Sequence, residues 1–337
     1  MDWKGKPMEN LIKRTKQPTV LGANIVYLTV LILMIVSQIV FSKWLPTTSE
    51  GADYYWKLFI MEVVLIGLPP LIYMLIFKMD IKEVARFNLI KPSEGLLVVG
   101  MALFGYFVIM AINLVWYWVV SHLGTPTGQQ LPNIENLSQY LVATLVIGLV
   151  PAVVEEFLFR GLILRGYERF GTKVAIVMTG ILFGMLHLQL MSIPSIILIG
   201  IIISYVVYRT NSILAGVIYH FVHNGITVLF LYIQKLLIET PEVAQQVPQD
   251  ISMLSDDMMA IAFVVWGIIG FLALIPFIGC VVGLHIYTRD KGQIREVSLD
   301  ESRRLTFLEM LPAFAAIIMI LVNIIFEILY MTGTINI

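Results

Sequence analysis

Nine apolar runs, most of them near twenty residues, divide this 337-residue chain near 19–41, 58–77, 95–120, 138–164, 172–190, 193–209, 212–236, 258–288 and 307–332. About twenty such residues let a helix cross roughly 30 Å of hydrocarbon at about 1.5 Å per residue. The composition agrees with lipid as the solvent: 58% of residues are hydrophobic, 13% are charged, and mean hydropathy is +0.87. The expected fold is therefore all-α, a polytopic transmembrane helical bundle of about nine helices. The first run follows Lys4, Lys6, Lys13, Arg14 and Lys16. It is too long for a signal peptide, and Ser42-Lys43-Trp44 is a poor cleavage site, so it reads as a retained helix.

Basic residues alternate between loops, as retention of Lys and Arg on the cytoplasmic side requires. Lys78, Lys82, Arg86 and Lys91 follow the second run, Arg165, Arg169 and Lys173 the fourth, and Arg209 the sixth. Arg289, Lys291, Arg295, Arg303 and Arg304 follow the eighth. The connection 121–137 has no Lys or Arg, and the loop after the seventh run is acidic, with Glu239, Glu242, Asp250, Asp256 and Asp257. The expectation is a cytoplasmic N-terminus and an external C-terminus. A net charge of −1 argues against a nucleic-acid partner, and the lone Cys280 cannot form an internal disulfide. Residues 1–137 read as an N-terminal segment with three scaffold helices, 138–237 as a four-helix catalytic core, and 238–337 as an acidic loop, a basic loop and two further helices.

Three polar groupings interrupt the hydrocarbon between Pro151 and Asn224: Glu155-Glu156 with Arg160, Phe183 with His187, and His220 with Asn224. A spacing of four stacks side chains on one helix face. An ionisable group at mid-bilayer costs roughly 2.5–3.5 kcal/mol or more, so each grouping is a candidate for function. Glu156 and Arg160 stand in the favourable order for an intrahelical ion pair. Glu155 points about 100° away around the helix and has no local partner, which suits a carboxyl group to take and return a proton. If the fourth and fifth helices turn back near Gly171, Glu155 and His187 each lie about 24 Å from the turn and face one another. Counted from Asn211, Asn224 lies about 20 Å deep. His220 and Asn224 both donate hydrogen bonds, the property wanted where an oxyanion develops. The structural alternatives are snorkelling acids, a packing histidine and interhelical polar glue.

No His-Glu-x-x-His helix, Gly-x-Ser-x-Gly elbow or pair of intramembrane aspartates occurs. His187, His220 and a glutamate form an accepted zinc set in principle, although their spacing is not that of metal ligands. The three groupings in this order resemble the CAAX protease and bacteriocin-processing family, also called Abi, which includes the Rce1-type prenyl-protein endopeptidases. The likeness covers about 100 residues, from Ser138 to Leu236, and does not extend to the flanking runs. It implies a glutamate-dependent, metal-independent intramembrane endopeptidase whose site opens toward the cytoplasm, with no cofactor. Carried over by motif position, Glu155 activates water with His187 as its partner, Glu156, Arg160 and Phe183 support the site, and His220 and Asn224 hold the oxyanion. The implied substrate is a membrane protein or peptide, and the implied location is the cell membrane. Some relatives have lost these residues and act as scaffolds or regulators. Two rival functions are a non-catalytic scaffold or immunity-type factor and a proton-coupled small-solute transporter. The sequence assigns no oligomeric state and does not say whether the substrate is prenylated.

Overall fold

The computed structural model describes residues 16–44, 52–125, 132, 134–237, 255–291 and 306–335. Lys4, Lys6, Lys13, Arg14, Glu239, Glu242, Asp250, Arg295, Arg303 and Arg304, used above to orient the chain, lie outside those residues. Every long element among the described residues is a helix, as the apolar runs demand. In chain order α1 is Val20–Trp44, α2 runs through Ala52–Ile60, Met61–Gly67 and Leu68–Ile76, and α3 is Pro92–Ser121. The fourth helix, α4, runs through Leu137–Ala143, Thr144–Leu149, Val150–Glu156, Phe157–Ile163 and Leu164–Tyr167 and ends in the tighter turn Glu168–Phe170. Then come α5 (Thr172–Leu186), α6 (Ile193–Thr210), α7 (Ile213–Leu237), α8 (Asp256–Tyr287) and α9 (Phe307–Met331).

Among the described residues eight of these helices are long and apolar enough to cross a membrane. The chain is a multi-pass membrane protein built as a helical bundle. The exception is α5, expected to run from 172 to 190 but only 15 residues long, or about 22 Å of helix. It ends because Leu188 takes the left-handed conformation (φ 54°) and Gln189 is extended, so the apolar letters continue where the helix does not. In α2 the expected start at 58 gives way to Ala52, since Tyr54, Tyr55 and Trp56 are amphipathic residues that sit well at a helix end.

Helix α5 folds back along α6, and the approach is close because both carry glycine at the contact. A Cβ on Gly184 would lie 2.7 Å from the Ile197 nitrogen, and one on Gly200 would lie 2.9 Å from the Gly180 Cα. In lipid, where no hydrophobic force separates helix from tail, such close backbone packing drives association. Helix α7 lies across α3, α4 and α6, α8 packs on α3, and α9 packs on α1. There Asn24 bridges two helices, donating to the Glu309 carbonyl at 2.8 Å and accepting from the Tyr167 hydroxyl at 2.7 Å.

The connections after α2, α4, α6 and α8 meet at one end of the bundle. Buried Arg86 pairs with Glu168, which Arg165 also reaches at 3.2 Å. Burial pulls the Arg86 guanidinium below its ordinary value, and the Glu168 charge opposes that shift. Asn88 donates to the Asn211 carbonyl at 2.7 Å, and Arg209 donates to Thr288 Oγ1 at 3.0 Å. The four loops read as basic from the sequence therefore share one end.

Candidate active site

The site is built around one turn of α4. Two wide i→i+5 turns, Thr144–Leu149 and Phe157–Ile163, bracket the regular turn Val150–Glu156 that carries both acids. Such turns inside an α-helix occur frequently at functional sites, since they add a residue and re-aim the side chains that follow. Glu155 and Glu156 are both buried, as are Arg160 and His220.

Glu156 is neutralised from two sides. Arg160 Nη1 donates to its Oε1 at 2.7 Å, and His220 Nδ1 lies 3.0 Å from the same oxygen. Arg160 Nη2 also donates to the Gly200 carbonyl at 2.9 Å, and its guanidinium sits 4.6 Å from the centre of the Phe183 ring. The Glu156 carboxylate needs a neighbour without a side chain: a Cβ on Gly216 would come within 2.5 Å of its Oε2. The carboxylate beside Arg160 can only accept, so His220 Nδ1 carries a proton and Nε2 is left to face elsewhere.

That second nitrogen lies 3.8 Å from Glu155 Oε2, within ion-pair range but beyond a direct hydrogen bond. Glu155 Oε2 is itself buried and accepts no hydrogen bond. Of the two imidazoles expected around Glu155, it is thus His220 that comes within 4 Å. His187 caps the end of α5, where its Nδ1 lies 2.9 Å from the Phe183 carbonyl. A carbonyl can only accept, so Nδ1 is the protonated nitrogen of the neutral ring and Nε2 keeps its lone pair. Phe183 links the two imidazoles, with ring centroids 5.0 Å from His187 and 5.7 Å from His220.

Asn224, one turn beyond His220, donates to the Ile147 carbonyl in the first wide turn at 3.2 Å. Its amide keeps a second N–H and its oxygen for another partner. His223 is buried against Tyr106 and Tyr219 rather than against the acids.

One carboxyl group assigned to scaffold by its place in the sequence is drawn into this neighbourhood. Glu62 lies in a third wide turn, Met61–Gly67, which packs on the acid-bearing turn of α4. Its Oε2 is buried without a hydrogen-bond partner, and it is close enough to Glu155 for each to feel the other's charge. The signal available in sequence was a lone acid in an apolar run, which is a candidate for function by cost alone. Among the described residues no group of three His, Cys, Asp or Glu side chains is arranged to hold a metal ion.

Residues 137–226 match the family model described as Rce1-like, type II CAAX prenyl endopeptidase. Over that segment the chain is similar to the Rce1-like family, within the CAAX protease group. No curated protein and no solved structure matches the chain.

Proposed function

We propose that this protein is an intramembrane endopeptidase that hydrolyses a peptide bond of a membrane-associated protein or peptide, without a metal or cofactor. Glu155 is the base that takes a proton from water. His187 Nε2 assists from the end of α5, and Asn224 and His220 donate to the oxyanion of the tetrahedral intermediate, His220 through Nε2 in its doubly protonated form. Glu156, Arg160 and Phe183 hold the His220 ring in place. The supporting observation is the difference in how two adjacent carboxylates are paired. Glu156 Oε1 is held by Arg160 at 2.7 Å and His220 at 3.0 Å, whereas Glu155 has His220 Nε2 at 3.8 Å, and Oε2 of each acid is buried without a hydrogen-bond partner. Glu156 is committed to its ion pair, which leaves Glu155 as the acid available to accept a proton. The loops that share the basic end of the bundle are the cytoplasmic ones on this reading, the host membrane is the cell membrane, and 138–237 is the catalytic core.

The test is cleavage of a quenched-fluorescent peptide ending in a farnesylated CAAX motif by protein purified into lipid nanodiscs. Glu155→Gln and His187→Ala are each expected to lower kcat by about 10²-fold or more, as for loss of a positioned base, with insertion unchanged. Wild-type turnover in either variant refutes the assignment. Peptide binding without any cleavage by the wild type would move the reading to a scaffold.

A further inference from the structure

The turn that follows His187 is irregular backbone between two apolar helices, and it is held by side chains from outside the matched segment. After Leu186 the helix stops: Leu188 is left-handed (φ 54°), Gln189 is extended, and a single turn Leu190–Ser192 leads into α6. A left-handed leucine is strained and persists only where its surroundings impose it. Peptide groups that a turn leaves out of the helical ladder also need partners, and in an apolar setting protein must supply them. Here the Leu190 N–H donates to Glu327 Oε2 at 3.1 Å, the Leu190 carbonyl accepts from Trp116 Nε1 at 2.7 Å, and the Leu188 carbonyl accepts from Asn323 Nδ2 at 3.5 Å.

Two of these three side chains, Asn323 and Glu327, are four residues apart on α9, the same one-face spacing as the three groupings of the site. A glutamate in a helix otherwise apolar enough to span the bilayer carries the cost that marks function. One of its partners is the turn that follows His187, whose Leu190 N–H donates to Oε2. We infer that Glu327, supported by Asn323, is a positioning residue for the hydrolysis: the last helix clamps the 188–190 backbone and so keeps the His187 imidazole in place. This inference rests on the proposal that His187 takes part in the reaction. It gives α9, which lies outside residues 137–226, a direct part in the chemistry.

The experiment measures kcat, KM and thermal stability with the farnesylated peptide in nanodiscs for Glu327→Leu, Glu327→Gln and Asn323→Leu, with His187→Ala alongside. Glu327→Leu is expected to lower kcat about tenfold with KM within twofold. Glu327→Gln keeps an acceptor oxygen and is expected to recover most of the rate. Asn323→Leu, which loses the longest of the three bonds, is expected to lower kcat about threefold. Adding Leu188→Gly to Glu327→Leu is expected to restore part of the rate, since glycine adopts the turn without a clamp. Wild-type kcat in Glu327→Leu while His187→Ala is inactive overturns the clamp and leaves the protease reading standing. Equal loss in the Leu and Gln variants also overturns it, because the acceptor would then not be what matters. Activity in His187→Ala overturns both. Should Glu327→Leu fail to fold, the ordering of Gln above Asn323→Leu decides the matter.

Discussion

Arg160→Met removes the cation from a fully buried ion pair and leaves Glu156 charged against His220 alone. Both side chains are 0% exposed, so no water replaces the lost partner. Breaking a buried pair by deleting one member costs about 3–5 kcal/mol. The same substitution discards the bond to the Gly200 carbonyl and the contact with the Phe183 ring. With about 2–4 °C of Tm per kcal/mol for a chain of this order, the melting temperature should fall by about 10 °C. Replacing both members, as in Glu156→Leu with Arg160→Met, removes the stranded charge, and at least half of the loss should return. Thermal unfolding in nanodiscs followed by tryptophan fluorescence measures both. Cleavage should remain lost in the double variant, because His220 Nδ1 no longer has the acceptor that holds its ring in place. A double variant as unstable as the single, or a double variant that regains turnover, would refute the reasoning.

Asn224→Ala should lower kcat by about 10²–10³-fold with little change in KM, the signature of a lost oxyanion donor; an effect confined to KM would assign the amide to substrate binding. Gly216→Ala should destabilise the protein by about 1–3 kcal/mol and reduce cleavage, since its Cβ meets both Glu156 Oε2 at 2.5 Å and Val207 Cγ2 at 2.6 Å. Glu62→Leu should raise the melting temperature, by taking an unpartnered carboxyl out of an apolar span, while lowering kcat. A higher melting temperature at full rate would place Glu62 outside the reaction. Turnover should survive strong chelators such as 1,10-phenanthroline, whereas loss that zinc restores would make the metal reading the better one.

The features legible in the sequence are those set by a single helix. The apolar runs gave the bundle because their length answers to bilayer thickness, and the spacing of Glu156 and Arg160 gave their ion pair because four residues make one turn. What could not be read depends on how helices cross. Nothing in the His220-x-x-x-Asn224 spacing says that His220 lies between the two carboxylates, since that follows from α7 lying over α4 with only Gly216 beside Glu156. Hydropathy was also blind to the end of α5, because Leu188, Leu190 and Met191 are as apolar as the helix they interrupt. Asn323 and Glu327 escaped notice for a related reason: in sequence they are a lone amide and a lone acid, and only the turn they hold makes them a pair.

The wide turn Phe157–Ile163 sets a phase relation within α4. Deleting one residue there would close an ordinary 3.6-residue ladder and leave the segment beyond it on its bearing relative to Glu155, because the wide turn holds one residue more than the α-turn it replaces. The same deletion in a regular stretch of α4 would swing everything downstream by about 100°. Helix α4 would still span the bilayer, but Glu168 would leave Arg86 and the carboxyl turn would lose its bearing on α7. Insertion into the membrane is therefore indifferent to a one-residue register change that the catalytic geometry cannot absorb.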